Sequence, residues 1–129
     1  DLARFVLFSE VALHFLKHKE LSPDLIHLHD WPTAIIAGLC AEDGLPKGTQ
    51  GVVLTLHNMQ HQGKCTLKEL LYCNLRLSAS TLCQFQDAEE MNLLKGGIEC
   101  AHRITTVSPQ YEKEIQSEPG AFGLHANCH

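Results

Sequence analysis

The sequence predicts an α/β fold built on a Rossmann-like parallel sheet. Two short runs, Leu25 to His29 and Val52 to Leu56, are strand-like in length and dominated by apolar residues. The second is apolar on both faces, which suits a parallel strand covered by helices on either side. Helical patterns alternate with these runs along the chain, and that alternation is the rhythm of a parallel layer.

Composition narrows the class further. At 129 residues the chain holds at most one domain, and 44% hydrophobic with 19% charged residues describes an ordinary globular protein. A formal net charge of −5 and the lack of a basic stripe argue against a nucleic-acid partner. No apolar run approaches the ~20 residues needed to span a bilayer, so no membrane partner is expected. Asp1-Leu2-Ala3-Arg4 lacks an initiator Met and leads straight into a helical pattern, so the expectation is a piece of something longer. The six cysteines form no C-x-x-C pair and read as reduced thiols. His27 and His29 could present two metal ligands on one strand face, but no third follows at a recognisable spacing, so no metal is expected.

Phe5 to Leu16 places apolar residues at helical spacing through Lys19, with Lys17, His18 and Lys19 in the last turn, where positive charge suits the helix dipole. Ser22-Pro23-Asp24 breaks this helix and Leu25 to His29 forms a strand. Asp30-Trp31-Pro32-Thr33 follows, then a helix from about Ala34 to Asp43, closed by Gly44 and Pro46. Gly51 to Leu56 is the next strand, and it gives way abruptly to the polar His57-Asn58. In an open parallel sheet ligands bind beyond the carboxyl ends of the strands. A right-handed crossover therefore sets His29 and Asp30 beside His57 and Asn58. His57 and Asn58 either carry chemistry or merely begin a turn. Asp30 is either a carboxylate at a reacting centre or, the favoured reading, a cap on the helix it precedes. Trp31 is either a packing anchor or a stacking platform.

Thr66 to Cys73 reads as a short helix with Thr66 and Glu69 as a capping box. Asn74 to Asp87 has no clean period and is expected to be a loop, of the kind that serves as a lid or binding insert. Ala88 to Ala101 is expected to be helical, with Glu89 and Glu90 in its first turn. Gly96 and Gly97 inside it cost roughly 1 kcal/mol each relative to Ala, so a backbone or a ligand should approach closely there. Arg103 to Val107 is the third strand. Ser108 caps a last helix with Pro109 at its first position, and Pro119 to Gly123 is loop.

Three blocks in fixed order carry a resemblance: Pro23 to Leu39 (PDLIHLHDWPTAIIAGL), Val52 to Gly63 (VVLTLHNMQHQG) and Asn92 to Gln116 (NLLKGGIECAHRITTVSPQYEKEIQ). Together with Gly120 to His125, they resemble the catalytic domain of starch synthases and bacterial glycogen synthases that use ADP-glucose. The resemblance covers nearly the whole chain apart from about Lys64 to Glu90. It implies an incomplete N-terminal half of a two-Rossmann-domain glycosyltransferase of GT-B type, with residues 1–129 as an interior part of that domain. The start of the domain, with its Lys-x-Gly-Gly-Leu loop, and the C-terminal partner domain would lie outside this sequence.

By the same resemblance, the substrates would be ADP-glucose and an α-1,4-glucan, with retention at the transferred carbon and no cofactor or divalent metal. These residues alone would not be active. His57 matches the family histidine that reaches the donor glucose, and Asp30 the aspartate of its His-Asp-Trp-His segment; both would be catalytic. Asn58, Gln62, His29, Trp31 and Lys95 fall at positions expected to face substrate. Pro32 stands where that segment usually has His. A plant or algal source would imply the plastid, a bacterial source the cytoplasm. Two alternatives remain beside this reading: another transferase of the same architecture, such as a sucrose synthase, or an inactive carbohydrate-binding module.

Overall fold

The computed structural model describes residues 1–118 and 120–128. In chain order the elements are α1 (Leu2–His18), β1 (Leu25–His29), α2 (Asp30–Asp43), β2 (Gly51–Leu56), β3 (Lys64–Cys65), α3 (Leu67–Tyr72), α4 (Ala79–Phe85), β4 (Gln86–Asp87), β5 (Glu90–Asn92), α5 (Leu93–Cys100), β6 (Arg103–Thr106) and α6 (Pro109–Ile115). A 3-10 turn, His125–Asn127, follows.

The predicted parallel sheet is present, in the order β1-β2-β6. His29 pairs with Thr55, and Thr55 with Thr105, so all three strands point their carboxyl ends the same way. Ile26, Leu28, Val52, Leu54 and Leu56 lie on the face that meets the helices and are buried. The helices α2 and α5 pack closely on each other there, with α1 against α2. The opposite face differs from expectation. Along β1 burial alternates, and Leu25, His27 and His29 are exposed, as are Arg103 and Thr105 of β6. Among the described residues, helices therefore cover one side of the sheet.

Three further expectations need correction. The helix expected from Ala34 starts at Asp30, and Pro32 sits inside its first turn, where a missing N–H costs no hydrogen bond. Asn74 to Asp87 is not a loop: it holds α4 and β4. Ser78 caps α4, and Glu42 Oε2 of α2 accepts from the Ser78 N–H, the Ser78 hydroxyl and the Thr81 hydroxyl at 2.9, 2.8 and 2.6 Å. The helix expected from Ala88 starts at Leu93, because Glu90–Asn92 pairs antiparallel with β3 and β4 as a second small sheet. The Thr66–Glu69 capping box on α3 is present as expected. Of the loop at 119–123, Pro119 lies outside the described residues.

The core explains the glycine pair. Phe85 of α4 is fully buried, and a Cβ on Gly96 would come 2.0 Å from its Cδ1. A Cβ on Gly97 would meet Ala34 Cβ at 2.6 Å and Cα at 3.1 Å. The glycines let α5 lie against the Phe85 ring on one side and the backbone of α2 on the other. Packing, not a ligand, requires them.

Candidate active site

The ends of β1 and β2 bring Asp30 and His57 to one rim, and the two side chains touch. Asp30 Oδ2 stands 3.0 Å from His57 Nδ1. Oδ1 accepts the backbone N–H of His57 at 2.7 Å and that of Asn58 at 3.4 Å. A carboxylate only accepts, so the ring contact calls for a proton on Nδ1 and leaves Nε2 as the acceptor of a neutral imidazole.

The structural role expected of Asp30 was to cap α2. It makes no such bond. Thr33 Oγ1 serves that end instead, donating to the His29 carbonyl at 3.0 Å and accepting the His29 N–H at 2.8 Å. Asp30 adopts φ +55°, a left-handed conformation that Asp tolerates better than most side chains. The chain thus turns sharply from strand into helix while the carboxylate reaches the neighbouring strand's loop.

His29 also reaches the rim. Its ring lies 5.3 Å from that of His57 and 4.4 Å from that of His27. Beneath them a polar chain crosses the sheet: His27 Nε2 to Thr55 Oγ1 at 2.6 Å, then Thr55 Oγ1 to Thr105 Oγ1 at 2.7 Å. Asn58 is exposed, and its Oδ1 accepts the Gln60 N–H at 2.9 Å in an Asx turn. Trp31 packs edge-on against Phe5 with centroids 5.0 Å apart, and its ring lies under Gly63. The packing reading of Trp31 is seen in these contacts, and the residue also lines an open cleft of about 490 Å³ with Gln60, His61, Gln62, Lys64 and Phe122.

Two of the residues expected to face substrate also bond within the protein, Gln62 while lining that cleft. Gln62 is buried; its amide donates to the Met59 and Phe122 carbonyls at 3.0 and 3.1 Å and accepts from Asn92 Nδ2 at 2.6 Å. Lys95 turns its ammonium to the Gln84 carbonyl at 3.0 Å. Asn92 ties these parts together. Fully buried, it caps α5 through the Lys95 N–H and also donates to Asp87 Oδ2 at 3.0 Å. That bond, with the Lys64 ammonium 3.1 Å from Asp87, holds the Asp87 carboxyl below its ordinary value. Sequence reasoning placed Asn92 only in a family block, and Tyr111 only in that block and in the last helix. The Tyr111 hydroxyl accepts the Met59 N–H at 2.8 Å, a contact that no local pattern announces. No group of three His, Cys, Asp or Glu side chains suited to a metal occurs among the described residues.

The chain's relatives are consistent with one another. The family described as starch synthase catalytic domain matches residues 1–128. A glycogen synthase of Protochlamydia amoebophila is 43% identical over 132 residues, covering 98% of this chain and 26% of that protein. A probable chloroplastic/amyloplastic starch synthase 4 of Arabidopsis thaliana is 35% identical over 98% of this chain and 13% of its own length. Among solved structures, the catalytic domain of starch synthase IV from Arabidopsis thaliana, bound to ADP and acarbose, superposes with a TM-score of 0.81 at 33% identity. That match covers 95% of this chain and 26% of the other. The chain thus spans about a quarter or less of these relatives.

Proposed function

The chain belongs to the starch synthase catalytic domain family, and from that premise we propose that it forms part of a retaining glucosyltransferase. The reaction moves glucose from ADP-glucose to the non-reducing end of an α-1,4-glucan. The observation that carries this reading is the Asp30–His57 pair at the carboxyl rim, 3.0 Å apart, in a chain that matches the family from end to end.

Residues 1–129 supply one wall of a cleft, and a C-terminal domain of the longer protein supplies the other. With Nδ1–H held by Asp30, Nε2 of His57 is free to accept a hydrogen bond from a sugar hydroxyl and so orient the donor glucose. The bond from the anomeric carbon to the diphosphate breaks as the glucan 4-hydroxyl oxygen bonds to that carbon. The departing phosphate oxygen takes the hydroxyl proton, so no protein base is needed. Positive charge develops on the sugar in passing, and fixed dipoles at the rim stabilise it without reorganising. The cleft beside Trp31 suits a glucan, since an aromatic face and neighbouring polar groups match the two sides of a sugar ring. No cofactor takes part in this scheme. The compartment follows the source, plastid for a plant or alga and cytoplasm for a bacterium.

The test is ADP-glucose-dependent elongation of a glycogen primer by the full-length protein that carries this chain. His57→Ala should lower turnover by about 30- to 1,000-fold, the equivalent of roughly 2–4 kcal/mol of transition-state stabilisation. Near-normal turnover in that variant would remove His57 from the site. Primer binding with no transfer by the unaltered protein would favour the inactive carbohydrate-binding reading.

A further inference from the structure

Every backbone N–H from residue 57 to residue 60 is taken by a side-chain oxygen. Asp30 takes those of His57 and Asn58, Tyr111 that of Met59 at 2.8 Å, and Asn58 that of Gln60. The conformation of this loop is therefore set by side chains from β1's end, from α6 and from the loop itself. On the third strand's side, Thr106 Oγ1 of β6 donates to the Leu56 carbonyl at 3.0 Å just before this stretch, Gln62 donates to the Phe122 carbonyl just after it, and within it the Tyr111 hydroxyl makes the tie to α6. Tyr111 stands in the first turn of α6, and its own N–H is held by the Ser108 cap at 3.1 Å. The helix start thus fixes where the hydroxyl sits. Its partner is a rigid one: Met59 is fully buried, and its carbonyl accepts from the Gln62 amide at 3.0 Å.

We propose that Tyr111 is a positioning residue for His57, its hydroxyl holding Met59 so that the imidazole two residues away keeps the orientation that Asp30 selects. This rests on the reading of His57 given above. From the β1 side Asp30 holds the His57 and Asn58 N–H groups, and the chain after them can pivot up to its next anchor at Gln62. A second point of attachment, on α6, removes that freedom. Small misplacements of a group that orients substrate are costly, reaching about a hundredfold for roughly 1 Å.

The experiment is a double-mutant cycle in the full-length protein, with Tyr111→Phe, which keeps the ring and deletes the hydroxyl, and His57→Ala. Tyr111→Phe should lower kcat on the order of tenfold, with the KM for the glucan primer changed less than about twofold. In the His57→Ala background the same substitution should change kcat by less than about twofold, because Tyr111 acts through His57. In ¹⁵N-histidine spectra Tyr111→Phe should shift the His57 ring resonances. An equal loss in both backgrounds would mark a general structural role and overturn the proposal. So would unchanged turnover in Tyr111→Phe while His57→Ala remains impaired, and that result leaves the assignment of His57 intact. If neither substitution affects turnover, the assignment of His57 falls and this proposal falls with it.

Discussion

Asp30 meets two demands with one side chain: a charge beside the His57 ring and an acceptor for the loop's first N–H groups. Asp30→Asn separates them. Asn also tolerates a left-handed backbone, and its remaining oxygen can still accept from His57 N–H. What it loses is the charge-assisted bond to Nδ1, worth about 1.5–3 kcal/mol. The expectation is a fall in turnover of roughly 10- to 100-fold with a melting temperature lowered by several degrees and the fold retained, read from primer-elongation kinetics beside a thermal melt. Asp87 offers a prediction of different kind. Its folded pKa lies below the ordinary 3.8, held down first by Asn92 and then by Lys64. The stability it contributes is therefore complete above that value and is lost as pH falls through the folded pKa. Glu42 and Glu69 are lowered by their hydroxyl and N–H partners and act in the same direction. Denaturant titrations below about pH 4 should show a shallower loss of stability in Asp87→Asn than in the parent. The charge at Asp87 was visible in the sequence, but its partners, Asn92 and Lys64, are brought to it only by the antiparallel pairing of β5 with β3 and β4.

Among the elements, α5 is the one whose sequence looks least like its role. Gly96 and Gly97 weaken a helix by propensity, yet α5 needs both to approach Phe85 and Ala34. Gly97→Ala should destabilise by about 1–3 kcal/mol despite the better helix former, because a Cβ there meets the backbone of α2, which cannot swing aside. Urea denaturation would measure it, and a gain in stability would refute the packing account. The same close approach explains what the sequence could not reveal. The helices α1, α2 and α6 and the three parallel strands each carry their signal locally, in apolar period, caps or β-branched runs. The helix α4 does not. Its Ser78 cap is completed by Glu42, 36 residues earlier, and its anchor Phe85 fits a notch made by Gly96 of α5 and Gly38 of α2, where an added Cβ would come 2.5 Å from the ring. The strand β5 likewise exists only through its pairing with β3 and β4. At the rim, Asp30 and His57 could be inferred as neighbours from topology alone. The use of Gln62 for internal bonding, and of Tyr111 as a brace, depends on contacts across 60 and 52 residues.

At the level of the molecule, the sheet order β1-β2-β6 sets β2 in the middle, with a hydrogen-bonded strand on each side. The insert between β2 and α5 is made of short pieces, the longest being the seven-residue α4. Deuterium exchange should reflect this difference. Amides of Val52 to Leu56 should exchange last, through openings of nearly the whole fold, while those of residues 66–87 should exchange early through local fraying. Uniform exchange across both regions would contradict it. A warmed chain would therefore shed its periphery while the floor under His57 persisted. Regaining the pocket's shape on cooling would then require only refolding of the insert around a seat that had never dissolved.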